Sequence, residues 1–355
     1  QRPLSLEGQR EYAEQPVSDH LRPLRLTVAY DLYWYFAAER QAIFFRRLQG
    51  QAPPWTQDSV LGTYKFTNAY RALDRTSQYL IRRVIYRSDL PKSAREVFFR
   101  IVLFKLFNSI ETWNHLEQAV GEVTWESFSF ELYDGLLAEL LAAGVPIYSS
   151  AYIMPPGTKQ WGHDRKHRNH LAMLERMILD GVPEQLTQTT RMQDGFELLL
   201  AYPTIGDFLA YQLITDINYS ELVDYSESEF VVPGPGALSG IRKCFADTAG
   251  LNAPELIRFV ADRQEEEFAR LGIHFSSLWG RRLQFIDCQN LFCEIDKYTR
   301  VSNPEIAGLF KRTRIKRRFS PNPEALEVWL PPKWRLTTGI DNGKRSYGER
   351  LKDGP

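Results

Sequence analysis

The segment 287-DCQNLFCEIDKYTR-300 places Asp287, Asn290, Glu294, Lys297 and Tyr298 within fourteen residues. At 100° per residue on a helix they form one polar stripe: Glu294 and Tyr298 lie about 20° either side of Asp287, with Asn290 and Lys297 about 60° and 80° from it. Phe285, Cys288, Phe292 and Ile295 gather on another side, so such a helix can pack through its apolar face while the stripe meets a cavity or solvent. Two carboxylates one or two turns apart, with a lysine and an amide among them, are the material for a general base, a positioned acid and an orienting group. A salt-bridged surface helix would show the same pattern, and the spacing alone leaves both readings open.

A second candidate is 55-WTQDSVLGTYKFTNAYRALDRTSQYLIRR-83. Read as a helix, it puts Asn68, Arg71, Arg75 and Arg82 on one face and Phe66, Tyr70, Leu73, Leu80, Ile81 and Val84 on another. Repeated arginines suit phosphate oxygens, since each planar fork can bond two of them, and Arg46 and Arg47 lie just upstream. Asp74 beside Arg75 permits a purely structural ion pair instead. The third candidate is 230-FVVPGPGALSGIRKCF-245, a Pro-Gly turn leading into a helix that carries Arg242 and Lys243. Gly234 and Gly236 would let backbone N–H groups approach an anion at the helix N-terminus, although a lone turn of this kind is often just a connection. Neither GxGxxG in a strand–helix setting nor GxxxxGK[ST] occurs in the chain.

The elements that must position these residues are mostly helical. Apolar periodicity predicts helices over 21–48, from about Asp58 to Tyr86, and over roughly 94–118, 126–143, 163–180, 186–200, 204–216, 236–249, 253–271 and 281–300. Strand signals are confined to 145–154 and 325–330. The expectation is a mainly α protein with a helical domain over 20–300 and a basic, largely irregular extension over 301–355. That extension holds KRTRIKRR at 311–318, six basic residues in eight, in a chain whose 44 basic and 44 acidic residues cancel over its whole length. A run like this is either a solvated arm or a nucleic-acid contact.

Cys244, Cys288 and Cys293 include no CxxC pair, which argues against a disulfide framework or a four-cysteine zinc site and for packing as small apolar groups. His163, His167 and His170 have helical spacing compatible with a metal, but the charges around them favour a solvated or phosphate-facing helix, and no metal site is assigned. No apolar run is long enough to cross a bilayer, so the reading is of a soluble intracellular protein, cytoplasmic or, in a eukaryote, nuclear.

Seven ordered motifs carry a family resemblance: PWTQD (54–58), KFTNAYRALDRTSQYLI (65–81), FKLFNSIETW (104–113), AYIMPP (151–156), PTIGDFLAYQLITDINYS (203–220), GPGALSGIRKCF (234–245) and DCQNLFCEIDKY (287–298). Together they resemble the helical domain of 5-hydroxymethyluracil DNA kinases and of the α-glutamyl/putrescinyl-thymine pyrophosphorylases, over about residues 20–300. The resemblance implies a fold related to helix-hairpin-helix DNA glycosylases and a role in thymine hypermodification of DNA. With no phosphate loop in the chain, it implies the pyrophosphorylase-type reaction, in which an amine or amino acid displaces pyrophosphate from 5-pyrophosphomethyluracil in DNA.

That chemistry distributes expected roles. A base inside a stacked duplex is out of reach, so it would be flipped into a pocket with Trp55, Tyr70 or Trp113 available for stacking and Gln212 among the pocket residues. Lys65, Arg71 and Arg75 would stabilise departing pyrophosphate, with a divalent metal ion left open as an aid and no other cofactor assigned. Asp287 or Glu294 would take the proton of the incoming amine, and Asp287 resembles the glycosylase catalytic aspartate in its place after the hairpin. Asn108 with Glu111, and Asp207, Gln212, Asp216 and Asn218, line the pocket or serve as caps and core hydrogen bonds; Tyr152 reads as packing. The partners are modified DNA and an amine co-substrate, with a kinase as a further pathway partner and no membrane. A base-excision glycosylase, a non-catalytic reader of modified DNA, and a subunit accompanying a kinase are the rival readings.

Overall fold

The helical periodicity is realised, among the described residues, as fifteen α-helices and one two-stranded antiparallel sheet that pairs Arg25–Leu26 with Phe245–Asp247. The computed structural model describes residues 23–150, 154–310, 312–322 and 326–337. The protein is mainly α. No helix among the described residues is long and apolar enough to cross a membrane. The chain divides into two interleaved units: Gln1–Ala69, Glu227–Ser276 and Leu283–Pro323 form the first, Tyr70–Ser226, Ser277–Arg282 and Glu324–Pro355 the second.

In the first unit, helix Phe285–Ser302 packs against helices Val28–Leu48 and Pro235–Cys244. Phe285, Cys288, Phe292 and Ile295 are buried, as the periodicity predicts. Tyr33 of the long helix lies 4.7 Å from the Phe292 ring and donates its hydroxyl to Cys288 O at 3.2 Å, so its polar tip is satisfied inside the core. Helix Pro235–Cys244 approaches so closely that a Cβ at Gly240 would stand 1.9 Å from Phe292 O, and one at Gly236 2.9 Å from Cys293 Sγ. Both glycines therefore act first as contact points between helices. All three cysteines are unbridged; burial raises the Cys293 thiol to about 12 and Cys244 further still, which makes them apolar packing groups.

In the second unit the central element is helix Ala94–Phe107, buried around most of its circumference from Phe98 onward. The predicted run 94–118 divides at Asn108, which takes a left-handed φ of 48° and ends this helix before Ile110–Val120 begins. Asn108 is thus the cap between the two helices and the exposed Glu111 belongs to the second, so the two do not share one helix face. The run from Asp58 to Tyr86 is also not one helix. It becomes Ser59–Thr63, a 3₁₀ turn at Arg71–Leu73, Arg75–Tyr79 and a π-helical stretch at Leu80–Ile85. Asn68 and Asp74 favour caps and turns over helix interiors, and Asp74 stands at the N-cap of the third piece. The arginine face read from a continuous helix is therefore dispersed: Arg71 is buried, Arg75 is exposed, and Arg82 lies over the Trp329 ring and pairs with Glu327.

The strand signal at 145–154 gives no strand over its described residues 145–150 and 154, nor does 326–330; residues 151–153, with Tyr152, and Ala325 lie outside the described residues. The histidine-bearing run folds as helix Lys166–Leu179 but does not face solvent through its histidines. His167 bonds Asp134 at 2.8 Å. His170 is fully buried between the Tyr148 hydroxyl, 2.8 Å from Nδ1, and Pro155 O, 2.9 Å from Nε2. Nε2 must donate to the carbonyl, so Nδ1 accepts from the tyrosine and the ring is held neutral. Burial lowers the His170 pKa to about 4. Its unfolded value is about 6.5, so the unfolded chain binds the extra proton between those limits and stability is lost as pH falls from about 6.5 to about 4, by up to about 3 kcal/mol. Denaturation midpoints at pH 7 and pH 5 should show that loss, and His170→Gln should flatten it.

Candidate functional site

In the first unit, three of the family-like motifs meet along helix Phe285–Ser302. Phe66 and Thr67, outside any helix, contact it, the Phe66 ring centre lying 6.1 Å from that of Tyr298. Glu294 Oε2 accepts the Thr67 N–H at 3.1 Å, and its carboxylate takes the Lys297 ammonium at 2.7 and 2.9 Å. Arg40 Nε donates to Thr67 O at 2.9 Å, so the backbone of this one residue is held at both its N–H and its C=O. One turn on, the Tyr298 hydroxyl donates to Asp58 Oδ2 at 2.7 Å while Asp58 Oδ1 caps helix Ser59–Thr63 through the N–H groups of Val60 and Leu61. Burial first, and then Asp58, push the Tyr298 hydroxyl pKa well up, so it stays a donor.

The polar stripe is therefore not a solvated face. Asp287 is 4% exposed, Glu294 7% and Tyr298 4%, while Asn290 and Lys297 are half-buried. The two carboxylates also differ in position. The helix starts at Phe285, not 281, which puts Asp287 in its first turn, where Oδ2 accepts the Gln284 N–H at 3.0 Å in a reciprocal cap. Glu294, two turns further along, has a cation as partner and an amide as anchor. It is the better placed of the two to exchange a proton with a group arriving at Lys297.

On the other side of Phe66 lies a cavity of about 230 Å³ lined by Trp55, Tyr64, Phe66, Phe319, Arg40 and Pro53 among others. Trp55 is fixed by its own donor to Gln51 O at 2.6 Å, by Arg46, which bonds Trp55 O and Glu39, and by the Arg47 guanidinium 5.0 Å from its ring centre. Lys297 Nζ stands 4.8 Å from the Phe66 ring centre, so one aromatic side chain separates the cavity from the Glu294–Lys297 pair. Phe319, absent from the motif-based expectation, comes from beyond the last motif. Its signal was only a hydrophobic residue closing a basic run. Lys65, next to Tyr64 of the cavity wall, is exposed, and Asn68 is half-buried.

The helix after the Pro-Gly turn begins at Pro235 with Gly234 as N-cap and Pro at the first helical position. Its two cations part company: Arg242 is exposed, whereas Lys243 is buried on Asp296 O at 2.9 Å, Thr299 Oγ1 at 3.0 Å and the Asp296 carboxylate at 3.4 Å. Burial lowers the Lys243 pKa against the pull of Asp296. Seventeen residues, 218–234, lie between helix Asp207–Ile217 and this one, a longer connection than a tight hairpin.

In the second unit, other motif residues form a separate buried cluster. Arg71 grips Asp216 through two parallel bonds of 2.7 and 2.9 Å, and Lys105 stands 3.2 Å from the same carboxylate. Gln212 Oε1 accepts from Arg71 Nε at 3.2 Å, the Tyr219 hydroxyl from Arg71 Nη1 at 3.0 Å, and Asn108 Oδ1 from Lys105 at 2.8 Å. Burial would raise the Asp216 pKa, but Arg71 and Lys105 outweigh it and hold the acid below the usual range. Tyr70 is buried, with its hydroxyl between Arg281 O and the Leu278 N–H. Trp113, 2% exposed, packs edge-on against Phe104 with ring centres 5.8 Å apart. Among the described residues no group of three or more His, Cys, Asp or Glu side chains is placed to hold a metal ion.

The chain is 27% identical over 288 residues to a protein named 5-hmdU DNA kinase from Bacillus phage SP10, a similarity covering 76% of this chain and 44% of that protein. It thus spans less than half the length of that relative. No solved structure matches it. The sequence model of the family described as "5-hmdU DNA kinase, helical domain" matches residues 27–308, and the chain belongs to that family.

Proposed function

We propose that this protein acts in the hypermodification of thymine in DNA, replacing the pyrophosphate of a 5-pyrophosphomethyluracil residue by an amine or amino acid. The observation that carries the reading is the convergence of the motifs at 54–58, 65–67 and 287–298 on an acid–cation pair, Glu294–Lys297, one side chain away from an aromatic cavity. In the reaction the amine nitrogen forms a bond to the exocyclic carbon of the base, the bond from that carbon to the pyrophosphate oxygen breaks, and pyrophosphate leaves with the electron pair. Glu294 takes the proton that the new ammonium sheds. Lys297 and the exposed Lys65 offer positive charge to the leaving group.

The test is to incubate the protein with DNA bearing hydroxymethyluracil or its pyrophosphate ester, together with a pool of amino acids and polyamines, and to analyse the digested nucleosides by mass spectrometry. The expected result is a new amine-bearing nucleoside from the ester only. Phosphorylation of hydroxymethyluracil with added nucleoside triphosphate would replace the reading by a kinase, alkali-labile sites by a glycosylase, and unaltered DNA by a reader of the modification.

A further inference from the structure

The densest positive charge of the chain begins just beyond residue 308, where the family match ends. It is tied to the first unit at both ends. At its start, Gly308 sits where a Cβ would come within 2.5 Å of Ser239 Oγ and 2.9 Å of Lys243 Cε, and the Leu309 N–H donates to Ser239 Oγ at 3.2 Å. At its end, the Phe319 N–H donates to Thr63 O at 2.9 Å and the Lys65 N–H to Arg317 O at 3.0 Å, pairing Tyr64 with Arg318 in an antiparallel bridge. Between the anchors Arg312, Arg314 and Lys316 are exposed, as is Arg318 at the bridge, and none of the four forms an ion pair among the described residues. They alternate along the chain, the period that places side chains on one side of an extended segment. Holding like charges together on a tethered strap is unfavourable unless a polyanion compensates them. The far anchor also builds the cavity, since Phe319 and Pro321 line it with Trp55 and Tyr64.

We infer that the strap and the cavity form one DNA-binding surface: Arg312, Arg314 and Lys316 take successive phosphates of a single strand, and the cavity receives one base turned out of that strand. Backbone charge supplies salt-sensitive affinity, and an aromatic wall supplies sequence-tolerant stacking. The choice of DNA as the polymer rests on the proposed function; the binding surface does not require the transfer reaction, so a failed turnover assay and a failed binding assay are separate outcomes.

The test is fluorescence anisotropy with an oligothymidine, an abasic oligodeoxynucleotide of equal length and an oligouridine, over a salt series. The wild type should bind the oligothymidine about tenfold or more tighter than the abasic strand. Replacing Arg312, Arg314 and Lys316 together by glutamine should weaken both and flatten the slope of log K against log salt by about 2. Gly62→Leu narrows the cavity from a helical position where an added Cβ meets nothing nearer than Thr56 Cγ2 at 3.9 Å. It should abolish the preference for base-bearing strand and leave the salt slope unchanged, with an unaltered melting temperature. An unchanged slope in the triple variant, or a base preference that survives Gly62→Leu, overturns the inference, and equal or tighter oligouridine binding overturns DNA as the occupant.

Discussion

Asp216→Asn is expected to cost the second unit about 3–5 kcal/mol, measured as a shift in chemical denaturation at neutral pH. The carboxylate is completely buried and is the counter-charge for two cations, Arg71 and Lys105, themselves 3% and 5% exposed. An asparagine keeps the volume and one acceptor but removes the charge, leaving both cations in a low-dielectric interior without it. The sign of the pH dependence follows. The folded pKa lies below the unfolded one, so the stabilisation is complete above about pH 4 and disappears as pH falls through the folded value. The substitution should therefore cost most at neutral pH and progressively less in acid. A loss below about 1 kcal/mol would show that other groups already balance the two cations. The same geometry bears on function, because the forked face of Arg71 is filled by Asp216 at 2.7 and 2.9 Å. A pyrophosphate could use that guanidinium only by displacing the carboxylate.

Helices with an uninterrupted apolar period were legible in the sequence: the run expected over 94–118 holds helix Ala94–Phe107 and, past the break at Asn108, Ile110–Val120, and the run expected over 281–300 holds Phe285–Ser302. What the pattern could not supply was where a helix starts. A four-residue difference at the beginning of Phe285–Ser302 decides whether Asp287 is mid-helix or part of the cap. Nor does periodicity detect a segment pulled out of helix by distant partners. Phe66 and Thr67 have a helical neighbourhood in sequence, yet the backbone of Thr67 is bonded on both sides, to Glu294 227 positions away and to Arg40. The Asp58–Tyr298 and Lys105–Asp216 pairs are similarly non-local. Their residue types could be singled out, but only tertiary structure says which acid meets which base. Trp55 was legible as an aromatic without a helical role, and it lines the cavity; Trp113 had the same chemistry and is core.

Under the proposed reaction, Glu294→Gln should lower turnover by about 10²–10⁴-fold, the range for removing a general base. The amide oxygen can still accept the Thr67 N–H, so the 66–67 segment keeps its anchor, whereas the side chain can no longer accept a proton from the attacking amine. Stability should change little, by about 1 kcal/mol or less, because the Lys297 side chain is a quarter exposed and water takes over part of the lost partner's role. DNA affinity should stay within a few-fold, since neither the strap nor the cavity wall is altered. A purely structural glutamate behaves differently: turnover would fall only in proportion to the folded fraction. Asp287→Asn supplies the contrast. It retains an acceptor for the Gln284 N–H, so the cap survives, while the negative charge favoured at the helix N-terminus is lost. If Asp287→Asn loses turnover by the same factor and Glu294→Gln does not, the proton acceptor is the capping aspartate and the Glu294–Lys297 pair is a clamp on the chain at Thr67.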